Sequence, residues 1–177
     1  TRMRETRDIK PFDRLSLRSF GDVLLAQGPH GPLTIEGEEP VLRVLHTEVR
    51  GGILCVEVDP SWQALFLPNR RATLRASAPR IHAIDVSGAG KVTVERLGLD
   101  HVRLVLTGAG SIHVGHLDAR ELEVVIEDAG TVSVAGIVVE QDVSIPGPGT
   151  YEAQDLESRV AVARLSGVGK AGAWATE

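Results

Sequence analysis

The chain has 177 residues, 42% of them hydrophobic, 24% charged and only 3% aromatic, with a formal net charge of -5. That size supports one body, or two small ones sharing a core, and the apolar share argues against disorder. The acidic balance provides no general attraction to phosphate backbones or anionic headgroups, so no nucleic-acid partner is expected. No run of 18 apolar residues occurs, so no membrane insertion is expected either. The lone Cys55 cannot form an intramolecular disulfide and leaves the compartment undecided.

Residues 1–11 read as an N-terminal tail. They carry no apolar segment of the secretion-signal kind, and because the chain opens on Thr1 a leader removed beforehand is the expectation. Residues 12–80 read as an irregular, strand-rich part of the same domain. Apolar residues alternate at Leu15/Leu17, Val23/Leu25, Leu33/Ile35, Leu54/Val56/Val58 and Leu74/Ala76, the period of half-buried strands. Gly21-Asp22, Gly28-Pro29-His30-Gly31-Pro32 and Gly51-Gly52 separate them as turns. Within 39–49, Val41, Leu45 and Val49 follow a helical period and Pro40 suits a first helical position, which predicts a short helix. Residues 59–71, with Trp62, Leu65 and Phe66, read as a loop or protruding hairpin, anchored by those side chains or presenting them as a contact patch.

From residue 81 onward the chain repeats. Ser87-Gly88-Ala89-Gly90, Thr107-Gly108-Ala109-Gly110, Glu127-Asp128-Ala129-Gly130, Pro146-Gly147-Pro148-Gly149 and Ser166-Gly167-Val168-Gly169 have closing glycines 20, 20, 19 and 20 residues apart. Apolar ranks flank each of them: Val102/Leu104/Leu106, Leu122/Val124/Ile126 and Val143/Ile145 before, Val92/Val94, Ile112/Val114 and Val132/Val134 after. A third rank follows at Leu97, Leu117, Ile137 and Leu156. A fixed period of this kind predicts stacked coils of a right-handed, single-stranded parallel β-helix over 81–177, a solenoid of about 20 residues per coil capped by the first half. Gly88, Gly90, Gly108, Gly110, Asp128, Gly130, Gly147, Gly149, Gly167 and Gly169 would be its corner residues, with Asp128 in the left-handed region that Asp tolerates. One coil is a residue short, so that Gln141 falls where Leu122 sits one repeat earlier, and a local irregularity is expected there.

Phe20-Gly21-Asp22-Val23-Leu24-Leu25-Ala26-Gln27-Gly28, Thr34-Ile35-Glu36-Gly37, Leu54-Cys55-Val56, Pro79-Arg80-Ile81 and the series of Gly-x-Gly corners, taken in that order, resemble the putative auto-transporter adhesin, head GIN domain family, from Phe12 to the C-terminus. The resemblance implies a parallel β-helix of bacterial origin, found on envelope or secreted proteins, with no established enzymatic activity.

Candidate chemistry is sparse. Gly88-Ala89-Gly90-Lys91 leads into the strand-like Val92-Thr93-Val94 and lacks the spacing and helix of a phosphate loop, so no cofactor is expected. His113 lies between inward Ile112 and Val114 and so faces solvent, and with His116 it has no further ligand at metal spacing. Asp85, Asp100, Asp118, Asp128, Asp142 and Asp155 are scattered over the repeat, whereas glycan-cleaving carboxylates must converge. No catalytic, cofactor or metal residue is therefore assigned, and a carbohydrate-active enzyme is the remotest reading. Cys55 alternates out of phase with Leu54 and Val56, which places it beneath the Trp62 loop. The expected function is a non-catalytic, adhesin-like surface binding module with a protein or glycan ligand. The alternative is a self-associating envelope protein, a homo-oligomer joined through the open C-terminal coil at Ala171/Ala173.

Overall fold

The computed structural model describes residues 2–59, 72–165 and 170–175. Strands β1 (Arg2–Arg7), β2 (Arg14–Arg18), β3 (Asp22–Gln27) and β4 (Leu33–Glu38) precede a helix, α1 (Glu39–Val44). Then come β5 (Leu45–Arg50), β6 (Ile53–Val58), β7 (Ala72–Ala78) and β8 (Ala83–Ser87), followed by β9 (Lys91–Thr107), β10 (Ser111–Ile126), β11 (Thr131–Ile145), β12 (Thr150–Leu165) and β13 (Lys170–Ala175). The loop with Trp62, Leu65 and Phe66, under which Cys55 is expected, lies outside the described residues, as do Gly167 and Gly169.

The structure corrects the fold expected from the repeat. The chain is all-β, 72% strand, but it does not form a parallel β-helix: its strands make one mixed sheet curled into a half-barrel. Nine strands run in the order β1-β4-β7-β3-β9-β10-β11-β12-β13, with β2, β5, β6 and β8 branching beside them. Antiparallel pairs β1/β4, β4/β7 and β5/β6 interrupt the parallel ones. The repeat spacing determines which residues of β9 to β13 lie side by side; it carries no information about how strands outside the repeat pair or whether the sheet closes. Those strands follow their own alternation and their own turns. The hairpin at Gly51-Gly52 shows this, both glycines having positive φ (55° and 80°), the conformation a tight two-residue turn requires. It pairs β5 with β6, and so the helix predicted over 39–49 stops at Val44, where Leu45, Thr47 and Val49 find a strand partner.

The N-terminal residues read as a tail include β1, all of whose side chains but that of Arg7 are exposed. Arg7 ties the strand down. Its guanidinium donates to the carbonyls of Leu42 (3.0 Å) and Leu45 (2.8 Å) and to Thr47 Oγ1 (3.0 Å), satisfying acceptors left over at the end of α1.

Between β9 and β13 the parallel register follows the repeat. Lys91, Ser111, Thr131, Thr150 and Lys170 lie side by side, and the ranks Val92/Val94, Ile112/Val114 and Val132/Val134 are fully or almost fully buried. Along β9 the buried positions are Val92, Val94, Leu97, Val102, Leu104 and Leu106. The alternation slips a residue after Val94 and again before Val102, so the strand turns its inner face twice and the sheet curls around its own core.

The Gly-x-Gly turns line up along one side of the sheet. Of their glycines, Gly88 has φ of +116°, and no residue other than glycine has a positive φ among the described residues, which corrects the left-handed conformation expected for Asp128. Its carboxylate accepts a hydrogen bond from the N–H of the next residue, Ala129, at 3.1 Å, a local side-chain-to-backbone bond made without a left-handed residue. What these turns demand is close approach. A Cβ on Gly110 would lie 2.2 Å from the Gly90 carbonyl oxygen, and one on Gly130 would lie 2.6 Å from that of Gly110. Those same carbonyls accept from the first N–H of the next strand, Ser111 to Gly90 (3.1 Å) and Thr131 to Gly110 (3.2 Å), so the ladder continues through the turn.

The short repeat is resolved at one place. Val114 pairs with Val134, but Leu117 pairs with Gly136, so β11 loses a residue at this point. Gly136, with φ of +129°, takes the inward slot because a Cβ there would sit 2.0 Å from the Leu117 carbonyl oxygen. Ile137, expected in the inner third rank, is thereby turned outward and is 54% exposed, while Val138 is buried in the next inward position, between Ala119 and Ser158. The same slip delivers Gln141 into the core opposite Leu122. Gln141 donates from Nε2 to Ser158 Oγ (2.7 Å) and accepts from the Tyr151 hydroxyl (2.8 Å), so the buried polar trio is mutually satisfied. Burial pushes the Tyr151 hydroxyl well above the ordinary tyrosine pKa.

Two outcomes follow. Gly110→Ala should lower stability by at least about 2 kcal/mol, read as the shift in a urea midpoint, because a backbone carbonyl cannot move aside without breaking the ladder. Tyr151 is the only tyrosine in the chain, so tyrosinate absorbance reports it alone. The folded protein should show no tyrosinate signal above pH 10, and stability should fall as pH rises beyond about 10, where the unfolded chain releases the proton that the folded state retains. Tyr151→Phe should remove that contribution.

Candidate functional site

The outer face of the half-barrel is where strand alternation sends the polar side chains. Across β4, β7, β3, β9, β10, β11 and β12, the registers align two rows. One is Glu36, Thr73, Asp22, Lys91, Ser111, Thr131 and Thr150; the other is Thr34, Arg75, Leu24, Thr93, His113, Ser133 and Glu152. Neighbours within a row stand about 4.8 Å apart and the rows about 7 Å apart, as in any sheet. The result is a regular surface rich in hydroxyl groups.

One end of this surface is hollowed into an open groove of about 530 Å³. Its floor is Leu24 and Ala26 of β3; Pro32 and Thr34 stand on one side, Thr93, Glu95 and Arg96 on the other, and Arg75 and Ser77 of β7 between. The Gly28–Pro32 segment is held as a wall by Ser77 Oγ donating to the Pro29 carbonyl (2.7 Å) and by His30 Nε2 against the Ile9 carbonyl (2.9 Å). Gln27 fastens the floor. Its amide donates to the carbonyls of Pro79 (3.1 Å) and Gly98 (2.8 Å) and accepts from the Gly98 N–H (2.8 Å), standing in for a peptide group where the β3/β9 backbone ladder ends. Leu24, 37% exposed, is an apolar group on a polar face. Arg75 reaches Glu36 at 3.1 Å, whereas Arg96 makes no ion pair among the described residues.

A second groove, about 500 Å³, crosses β9 to β12 further along the long strands. It is lined by His101, Arg103, Glu121, Glu123, Glu140 and Asp142, among others. His101 Nδ1 meets Glu121 at 2.9 Å and Arg103 meets Glu123 at 3.3 Å, cross-strand pairs of exposed groups. Such pairs relieve like-charge repulsion between adjacent rungs and contribute little to stability. No group of three or more His, Cys, Asp or Glu able to hold a metal ion occurs among the described residues. His113 and His116 are exposed, and Cys55 is half-buried with its thiol against the Ile53 carbonyl (3.6 Å).

The residues assigned to corners, Gly88, Gly90, Gly108, Gly110, Asp128, Gly130, Gly147 and Gly149, line neither groove. The groove residues Leu24, Arg75 and Arg96 come from three strands, and sequence reasoning passed over them. One signal was legible: Leu24 is an apolar residue in the outward phase between Val23 and Leu25. Gln27→Ala should cost about 1 kcal/mol in a denaturation midpoint and accelerate amide exchange at Gly98, since three hydrogen bonds at the edge of the groove depend on that one side chain.

Comparison with known proteins places this geometry in a group. A putative lipid binding protein from Parabacteroides distasonis superposes with a TM-score of 0.78 at 17% identity, covering 99% of this chain and 83% of its own. A putative adhesin from Bacteroides fragilis gives a TM-score of 0.81 at 17% identity, covering 97% and 96%. A further putative adhesin from Parabacteroides distasonis gives 0.65 at 14% identity, covering 97% and 81%. At such identities the likeness is one of fold. No curated protein matches the chain. The family model described as putative auto-transporter adhesin, head GIN domain, matches residues 11–177, and the chain belongs to that family.

Proposed function

We propose that this protein is a non-catalytic, adhesin-like binding module that meets its ligand at the bacterial envelope through the outer face spanning β4, β7, β3 and β9 to β12. The observation that carries the reading is the pair of aligned polar rows, which offers hydroxyl donors and acceptors at strand spacing to an extended ligand. Family membership supports an adhesin-like role. Of the second groove's carboxylates, Glu121, Glu123 and Glu140 are exposed and Asp142 is half-buried, and two of them are paired with His101 and Arg103, an arrangement of surface charge rather than of an acid and a base facing a scissile bond.

A self-associating role is the second reading. It is favoured by Ile137, Val139 and Val160, three exposed apolar residues on β11 and β12 near the sheet's last strand. The two are separated by one pair of measurements. Immobilised protein screened against glycan and protein arrays should bind at micromolar concentration and sediment as a monomer. A concentration-dependent mass that Val139→Asp abolishes, with empty arrays, would put self-association in its place.

A further inference from the structure

We propose that the groove over Leu24 binds a short oligosaccharide bearing a carboxylate. This rests on the reading of the outer face as a binding surface and names the ligand class for one part of it. The groove crosses β4, β7, β3 and β9, a span of about 14 Å at the spacing of paired strands. It is open rather than enclosed, which suits a ligand that keeps half its surface in water.

Its chemistry has two parts. Leu24 and Ala26 of β3 form an apolar strip in an otherwise polar face, with Pro32 beyond Ser77, a short open surface of the kind that the C–H face of a sugar ring covers. Arg75 and Arg96 bracket that strip. Arg75 lies in register with Leu24 and has one nitrogen turned to Glu36, which leaves further N–H donors of its fork for another acceptor. Arg96 makes no ion pair among the described residues. A guanidinium of that kind holds a carboxylate in a two-pronged hydrogen bond. Thr34 and Thr93, flanking Leu24 and Arg75, supply hydroxyls to the ring substituents.

The molecule's charge narrows the class. With a net charge of -5 the protein repels dense polyanions and anionic bilayers at long range, so two local arginines favour a saccharide whose acidic groups are isolated on a mainly hydroxylated chain.

The test is calorimetric titration with galacturonate, glucuronate and sialic-acid-terminated trisaccharides, each beside its carboxyl-reduced counterpart. At least one acidic trisaccharide should bind, with about tenfold or greater loss on carboxyl reduction and a similar loss for Arg96→Gln. Leu24→Ser should weaken binding to both forms, and unchanged melting of each variant shows the fold intact. Equal affinity for acidic and reduced sugars, no binding by any acidic member, undiminished binding by Arg96→Gln, or binding to anionic vesicles alone would overturn the proposal. Array ligands that bind and survive Arg96→Gln would sink the groove assignment and leave the broader binding reading standing; arrays that stay empty sink both.

Discussion

The long parallel strands of this protein rest on main-chain contact at the glycine turns. There the backbone of one turn lies against the carbonyls of the turn before it, close enough that a Cβ at Gly110 or Gly130 would collide with oxygen, and those oxygens are the acceptors that carry the hydrogen-bond ladder from one strand to the next. Parallel neighbours are held in register by this continuity. Register in turn decides that Val92, Ile112 and Val132 meet in one inward row, and a shift by one residue would turn each of those rows outward.

The same dependence explains how the sheet absorbs its one short repeat. Losing a residue between Val134 and Gly136 displaces the alternation, turns Ile137 to solvent and brings Gln141 into the core. A buried amide without partners would be costly. Here Ser158 and Tyr151 complete its bonding, so the disturbance is confined to one layer. The sequence showed Gln141 in a position otherwise apolar; that Tyr151 and Ser158 would answer it depended on two strands lying side by side.

The surface proposed for binding is a by-product of the same geometry. Residues that point away from the core must align in rows because their inward neighbours do, and the rows of Thr, Ser and charged groups arise in this way. The groove at Leu24 needs more: the wall at Pro32, the bend of β9 near Glu95 and the Gln27 clamp come from segments far apart in the chain. Neither the repeat nor any motif marked Arg75 or Arg96, since each is an ordinary outward arginine on its own strand.

By itself the sequence determined the strand-rich class, the inward ranks from Val92 to Ile126, the family, and the neighbours that β9 to β13 take, because alternation and a 20-residue spacing are local properties of the chain. Only the tertiary structure decided that the strands form a curled mixed half-barrel rather than a parallel β-helix, that the hairpin at Gly51-Gly52 takes over part of the expected helix, and that Asp128 keeps an ordinary φ. The physical reason is that pairing partners outside the repeat compete for free main-chain donors and acceptors. The winner depends on turns and packing brought together from the whole chain, which no window of sequence contains.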